Sequence, residues 1–390
     1  MSSGGGVPTI DLAGDPEEVA RLLKEACENV GFFMVVNHDV PDDLLSRVML
    51  VTRGFFELPE DEKMRVGSLK KGYIPVGGCD NAVRPTSLHE KYSCGRVDGV
   101  DKTDAYYDPT GPHAEQAALY FGEDNRWPAR PTDFQPTWTA YYKAMEALTE
   151  RIMTLFAMAL GVRPDFFKDK IDKHVTNLVA LRYPPLTTSI VAPAKAEAGA
   201  EVGAGPPPPP PAAGGEDDDV FCTERVKPHT DPTDITILAF ERGPEGLQVL
   251  PDGVEDWIDV PRVPGSLLVN LGDVLRFWTN DTWRSTRHRV IVRRRRRRRG
   301  VGEDSSEGGD DGEEDRMSLV FFHMPNYDTV IDCADFFGDA VDGHHGPDRR
   351  PRKYPAFKSG ERSHFAQLVR NEKGLPDRQT LKMDNSRGDL

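Results

Sequence analysis

The first 160 residues combine short apolar runs with stretches in which apolar positions recur every three or four residues. The second pattern is typical of helices with one buried face. Asp15 and Pro16 precede the first such stretch and Gly161 follows the longest one, as expected of helix ends. We therefore predict helices in 16–30, within 37–56 and near 135–160, and short strands in 7–12 and 31–36. Residues 66–131 contain too many glycines and prolines for an assignment.

From Asn177 onward the period of the apolar positions changes to two, which predicts β-strands. Turns rich in Gly, Pro and Asp separate about eight candidate strands, at 177–183, 234–240, 247–250, 256–260, 266–270, 274–278, 288–293 and 317–323. Such a series suggests a double-sheet jelly roll. The predicted fold class is mixed α and β, with a jelly-roll core buttressed by the N-terminal helices.

Two segments of biased composition interrupt the strand pattern. Residues 191–219 contain six consecutive prolines and an acidic run, and residues 293–315 join seven arginines to eight acidic residues. Chain of this kind cannot bury a core, so we expect disordered loops. The run Arg293–Arg299 alone would suggest nuclear targeting or nucleic-acid binding. We favour the alternative, an expanded hairpin loop in which the acids offset the arginines.

Composition narrows the class of protein further. The chain has 49 Lys and Arg against 64 Asp and Glu, a net charge of −15, so a nucleic-acid partner is not expected. Five scattered cysteines without a CxxC pair indicate reduced thiols. No apolar run is long enough to span a bilayer, and the N-terminus lacks the pattern of a secretory signal. We expect a cytoplasmic monomer without a membrane partner, or a nuclear protein if the arginine run is a targeting signal.

A histidine and a carboxylate precede one of the predicted strands. His229 and Asp231 are two residues apart, so on extended chain they project to the same side. A facial-triad iron site needs two imidazoles and one carboxylate, and the third ligand must come from another strand. His288 begins a strand where a jelly roll could return beside the pair. The chain's other H-x-[DE], His113 with Glu115, lies in irregular chain, and we reject it.

A second polar pair begins the last apolar strand. Arg316 and Ser318 form the only R-x-S of the chain. An arginine in a mostly apolar pocket requires an anion, and its planar guanidinium matches a carboxylate. A hydroxyl two residues further on points to the same side and can join that contact. Taken alone, Arg316 could instead be an edge-strand residue paired with the acids beside it.

The order of these features resembles that of the iron(II)/2-oxoglutarate-dependent dioxygenases of the isopenicillin N synthase-like group. The resemblance extends from residue 7 to about residue 365, apart from the two biased segments, and is carried by VPTIDL, GFFMVVNHDVP, LRYPP, HTDPTDITIL, LLVNLGDVLRFWTND, WRSTRHRV and RMSLVFFHMP. It implies a double-stranded β-helix, or jelly roll, as the core. The implied parts are an N-terminal non-haem dioxygenase region (1–130), helical support (131–176), the core (177–340) and a tail (341–390).

The resemblance also implies a role for individual residues. Those that match the family's positions are the iron ligands His229, Asp231 and His288, the 2-oxoglutarate carboxylate ligands Arg316, Ser318 and Tyr183, and the substrate-facing Phe322. Taken alone, Tyr183 could equally be a core residue at a strand end. Arg316 lies further from His288 than is usual in the family, and the basic-acidic segment accounts for the excess.

The implied activity is the oxygenation of a small organic metabolite with Fe(2+), 2-oxoglutarate and O2, releasing succinate and CO2. Hydroxylation, desaturation and cyclisation all remain open, and the sequence does not identify the substrate. Residues 66–131 are expected to help shape its pocket. Two alternatives are an iron oxidase of the same fold that uses no 2-oxoglutarate, and a non-catalytic metal-binding interaction protein.

Overall fold

The structure is a computed structural model that describes residues 6–78, 88–101, 103–111, 113–185, 220–241, 246–295, 315–337 and 351–361. The predicted loop 191–219, residues 296–314 of the second predicted loop and most of the tail 341–390 lie outside the described residues. No helix in the described part of the chain is long and apolar enough to cross a membrane.

The helices and strands predicted in the first 160 residues are confirmed, and Asp15 caps the first helix through its carboxylate. The described helices are α1 (Pro16–Asn29), α2 (Asp42–Phe56), α3 (Glu60–Met64), α4 (Ala114–Phe121), α5 (Phe134–Ala159), α6 (Lys168–Ile171), α7 (Asp273–Trp278) and α8 (Ala334–Phe337). The described strands are β1 (Thr9–Asp11), β2 (Phe32–Val36), β3 (Tyr73–Ile74), β4 (Glu90–Cys94), β5 (Asn177–Tyr183), β6 (Val220–His229), β7 (Ile235–Phe240), β8 (Leu247–Leu250), β9 (Ile258–Asp259), β10 (Leu267–Leu271), β11 (Arg287–Arg295), β12 (Arg316–Phe322), β13 (Val330–Ile331) and β14 (Phe357–Lys358).

Two facing sheets form the core. The larger sheet has the order β1-β2-β10-β7-β12-β5-β4-β3, in which only the β1–β2 pair is parallel. The smaller sheet has the antiparallel order β6-β11-β8-β9. The mixed α and β fold class with large sheets is therefore confirmed. The N-terminal region also contributes strands β1 to β4 to the larger sheet, in addition to its helices.

Alternation along the strands divides the buried residues between two cores. In β2, Phe33 and Val35 pack in the larger core, on the side of the sheet that faces α1, α2 and α5. Phe32 and Met34 lie on the opposite face of the sheet and pack in the second core with Val290 of the smaller sheet. This arrangement follows from the period of two in a strand that is covered on both faces.

The strand predicted at 274–278 is wrong, because these residues belong to helix α7. The run is apolar and short, and periodicity alone cannot distinguish a buried strand from a helix of that length. Both neighbouring places beside β10 in the sheet are already occupied, by β2 and β7. Strand β6 precedes the strand predicted at 234–240 and is not among the predicted strands. The disordered loop predicted at 293–315 is wrong at its start, because residues 293–295 belong to β11 and pair with β6. Strands β3 and β4 and helix α4 lie in 66–131, where no element was assigned.

Candidate metal centre

Two histidines meet where β6 ends and β11 begins. His229 is the last residue of β6, and His288 is the second residue of β11. The antiparallel register makes them direct partners, so their imidazoles lie side by side with ring centroids 4.2 Å apart. The sheet thus brings together two residues that are far apart in the sequence.

Asp231 completes a three-residue group just beyond the end of β6. Its Oδ1 lies 3.6 Å from Nε2 of His229 and 3.7 Å from Nε2 of His288. One ligand atom from each residue falls within 4.8 Å of the others. Two imidazoles and one carboxylate converging in this way form the donor set of a facial-triad iron site.

Hydrogen bonds to backbone carbonyls orient the two imidazoles toward a common centre. Nδ1 of His229 donates to the carbonyl of Lys227 at 2.8 Å, and Nδ1 of His288 donates to that of Thr286 at 3.2 Å. Because a carbonyl only accepts, each Nδ1 carries the proton and each Nε2 keeps its lone pair for a metal. The residues present therefore fit iron(II).

The second oxygen of Asp231 is held by two donors from the larger sheet. Thr236 Oγ1 and Asn270 Nδ2 each donate to Asp231 Oδ2 at 2.8 Å. Thr236 in β7 and Asn270 in β10 are direct cross-strand partners, so both side chains project from the same face. This pairing leaves Oδ1 as the oxygen that faces the two imidazoles.

The backbone that carries Asp231 is fixed by the start of α7. The Gly272 amide donates to the Asp234 carbonyl at 2.8 Å. The Asp273 amide donates to the Asp231 carbonyl at 2.8 Å, and the Val274 amide donates to the Thr233 carbonyl at 2.9 Å. A Cβ on Gly272 would lie 2.1 Å from the Thr233 carbonyl oxygen, so only glycine allows this approach. Gly272 and Asp273, which follow β10, therefore hold the loop that carries Asp231 in place.

Burial differs among the three residues and affects their charge. Side chains of Asp231 and His288 are 5% and 10% exposed, whereas that of His229 is 40% exposed. Burial lowers the pKa of His288, against the opposing effect of the Asp231 carboxylate. A neutral imidazole is the form that binds a metal, so burial favours the ligating state.

A cavity between the two sheets contains the triad and every other residue predicted for the site. The lining residues named by the sequence are Tyr183, His229, Asp231, His288, Arg316, Ser318 and Phe322. Arg316, Ser318 and Phe322 are at alternate positions of β12 and share one face of the sheet. Apolar side chains such as Leu181, Leu238 and Val320 form much of the remaining wall.

Arg316 and Tyr183 are direct partners across β12 and β5. The Arg316 guanidinium carbon lies 4.6 Å from the centre of the Tyr183 ring, which is a cation–π contact. Burial raises the pKa of Tyr183, while Arg316 and Arg225 partly offset that rise. The phenol therefore remains protonated at neutral pH and can donate a hydrogen bond.

Three residues near the site were missed by the sequence analysis. Thr236 and Asn270 orient Asp231, and Asn270 could have been noticed as the one polar residue in the apolar run LLVNL. Arg225 is 1% exposed, donates to the Pro184 carbonyl at 2.6 Å and lies 5.7 Å from the Tyr183 ring centre. No local pattern in the sequence marks Arg225.

Comparison with protein families gives two matches. Residues 7–129 match the family described as the N-terminal region of the non-haem dioxygenase in morphine synthesis. Residues 210–325 match the 2OG-Fe(II) oxygenase superfamily. The second match contains the triad together with Arg316 and Ser318.

Individual proteins and a solved structure that are similar to this chain are also oxygenases or oxidases by name. Validamycin A dioxygenase from Streptomyces hygroscopicus subsp. limoneus is 30% identical over 298 residues, covering 74% of this chain and 72% of the relative. Gibberellin 20 oxidase 1 from Arabidopsis thaliana is 27% identical, covering 88% and 76%. The crystal structure of a putative 2OG-Fe(II) oxygenase family protein from Caulobacter crescentus has a TM-score of 0.65 at 22% identity, covering 94% of this chain and 99% of that one. The structural likeness is evidence for the fold.

Proposed function

Because the chain belongs to the 2OG-Fe(II) oxygenase superfamily, in the isopenicillin N synthase-like group, we propose which of its residues carry out the family's chemistry. The protein is a 2-oxoglutarate-dependent dioxygenase that uses Fe(2+), 2-oxoglutarate and O2 and acts on a small metabolite. The proposal concerns the assignment of individual side chains.

His229, Asp231 and His288 hold the iron through Nε2, Oδ1 and Nε2. The observation that carries this assignment is the convergence of the three ligand atoms within 4.8 Å. When bound, iron(II) supplies the activation of O2 that accompanies oxidative decarboxylation of 2-oxoglutarate to succinate and CO2. The hydrogen bonds to Thr236 and Asn270 keep the carboxylate turned toward the metal.

Arg316, Ser318 and Tyr183 bind the distal carboxylate of 2-oxoglutarate. The guanidinium offers two parallel donors to a carboxylate, and the Ser318 hydroxyl projects from the same face of β12. The protonated Tyr183 phenol provides a further donor. This complete set of donors favours the 2-oxoglutarate-dependent reaction over the oxidase alternative.

The apolar side chains around the triad exclude water from the reacting groups, and Phe322 faces the substrate. Its place in β12, four residues beyond Ser318, puts it on the cavity side of the same strand. The reaction is hydroxylation of the metabolite, with desaturation or ring closure as variants. The relatives validamycin A dioxygenase and gibberellin 20 oxidase 1 are consistent with a small organic substrate.

The experiment uses the full-length chain, loaded with iron(II) and incubated with 2-oxoglutarate, oxygen and fractions of a small-metabolite extract. We expect succinate release that depends on one fraction, together with a product that gains one oxygen atom or loses two hydrogens. Asp231→Ala removes the anionic ligand and should abolish both signals. Succinate release that persists unchanged in Asp231→Ala would contradict the assignment.

We propose further that the chain works as a monomer in the cytoplasm. The triad and the carboxylate-binding residues all come from one chain, so the site is complete without a partner. Cys27, Cys94 and Cys333 carry free thiols, which suits a reducing compartment. Sedimentation of the active protein and imaging of a tagged chain test these two points, and an activity lost on dilution would argue against the monomer.

A further inference from the structure

A second cavity, of about 240 Å3, lies beside the metal centre and is lined by basic side chains. We call it the basic pocket and define it by Lys70, Lys71, Lys91 and Arg96. No Asp or Glu lines it in the described part of the chain, although the whole chain carries a net charge of −15. The pocket therefore concentrates positive charge in an otherwise acidic protein.

The two cavities occupy the same face of the larger sheet. Leu181 lines the metal cavity, and its direct partner across β4 and β5 is Lys91 of the basic pocket. Phe322 also lines the metal cavity, and its direct partner across β5 and β12 is Asn177 of the basic pocket. Direct partners project from the same face about 5 Å apart. The basic pocket therefore lies next to the part of the metal cavity that Leu181 and Phe322 line.

The cations of the basic pocket have few anionic partners. Lys71 Nζ donates to the backbone carbonyl of Glu123 at 2.6 Å, and Arg96 donates to that of Asp172 at 3.0 Å. Lys70, which is half exposed, lies 3.7 Å from the Glu123 carboxylate. Lys91 is half-buried and makes no ion pair with any described residue. An incoming anion could therefore gain from these charges without displacing a buried ion pair.

Burial also affects the titratable groups of the pocket. It lowers the pKa of Lys71, because the charged ammonium is partly removed from water. It likewise lowers the pKa of His174, another lining residue, which is therefore neutral at neutral pH. The positive charge thus comes from the lysines and the arginine. An anion beside Lys71 would offset the free-energy cost of removing its ammonium group from water.

The same pocket has apolar walls. Leu119, Phe121 and Val175 line it together with the basic residues. A ligand that contacts both the apolar and the basic residues favourably has an apolar body and an anionic group. The pocket's volume is sufficient for part of a small organic molecule but not for a macromolecule.

We propose that the basic pocket binds the carboxylate of an apolar organic acid, which is the substrate class of this enzyme. The oxidisable carbon of that acid lies over the metal cavity, and its carboxylate lies against Lys91 and Arg96. This inference rests on the proposed function, because it assigns a substrate class to the same site. The assignment makes Lys91 and Arg96 specificity-determining residues.

The test is equilibrium dialysis of the full-length chain, loaded with iron(II) and 2-oxoglutarate without oxygen so that no turnover occurs. The probes are phenylacetate, cinnamate and octanoate, each paired with its methyl ester, which keeps the body and removes the charge. We expect at least one acid to bind about tenfold more tightly than its ester, and Lys91→Gln and Arg96→Gln each to remove most of that preference. Neither substitution should change binding of the esters.

The control is Lys24→Gln, which removes one positive charge from an exposed position of α1 and should leave acid binding unchanged. Retention of the iron–2-oxoglutarate absorption band by each variant shows that it has folded. The inference is overturned if no acid binds more tightly than its ester, or if Lys91→Gln and Arg96→Gln bind acids like the unchanged chain. Tighter binding of phenyl phosphate than of every acid would overturn the carboxylate class. A missing absorption band in the unchanged chain would instead contradict the proposed function, while dialysis still reports on the pocket.

Discussion

The orientation of Asp231 is the feature of the metal centre that one substitution tests most cleanly. Asp231 is almost fully buried, and one of the two hydrogen bonds to its Oδ2 comes from the Thr236 hydroxyl at 2.8 Å. Thr236→Val keeps the shape of the side chain and removes that donor. A hydrogen bond to a charged group contributes about 1.5–3 kcal/mol. Loss of an orienting partner typically lowers metal affinity about 10- to 100-fold, which corresponds to about 1.4–2.8 kcal/mol.

The assay is a competitive titration of iron(II) between the protein and a coloured chelator under anaerobic conditions. We expect Thr236→Val to bind iron(II) at least about tenfold more weakly than the unchanged chain. Thr236→Ser retains the hydroxyl and is the matched control, so it should bind iron(II) like the unchanged chain. Equal iron affinity in the Val and Ser variants would refute the view that the Thr236 hydroxyl orients the ligand.

Three further predictions concern stability, and urea unfolding measures each of them. Gly272→Ala places a Cβ against the Thr233 carbonyl and should lower the free energy of unfolding by about 1–3 kcal/mol; an unchanged midpoint would contradict this. Burial holds the pKa of His174 below its ordinary value of 6.5, so the unfolded chain binds the proton first as the pH falls below that value. Stability should therefore decline in acid, and His174→Asn should flatten that decline; an identical pH profile would count against it. Glu90→Gln leaves the Lys63 ammonium, 2.7 Å away and buried, without its counter-charge and should cost about 3–5 kcal/mol, whereas a loss below about 1 kcal/mol would show that the pair is solvent-screened.

The sequence allowed the triad to be predicted because its parts lie at strand ends. His229 and Asp231 precede a strand with clear alternation, and His288 begins another, so the topology of a jelly roll brings them together. Arg316 and Ser318 were predictable for a similar reason, since a period of two puts both on one face. In each case a local pattern suggested the residues, and the resemblance to a known family gave each of them a role.

Other features depend on pairings that no local pattern encodes. The two donors to Asp231 meet only because β7 and β10 pair in one particular register. Helix α7 resembles a strand in its composition, and its role in holding the Asp231 loop appears only in three-dimensional contacts. The basic pocket combines residues from β4, the chain before it and the region around β5, part of which had no assignment in the sequence. Long-range contacts therefore account for what the sequence analysis missed.

The central claim is that this cavity binds iron(II) and the distal carboxylate of 2-oxoglutarate through the residues assigned. The most direct test follows the iron–2-oxoglutarate charge-transfer absorption while 2-oxoglutarate is added to the iron-loaded chain without oxygen. We expect a saturable band in the unchanged chain and no band in Asp231→Ala. Arg316→Met should bind iron(II) normally but weaken 2-oxoglutarate binding by about 2–5 kcal/mol, because the carboxylate loses its buried cationic partner. A titration of Arg316→Met that matches the unchanged chain, or an unchanged chain without the band, would contradict the account.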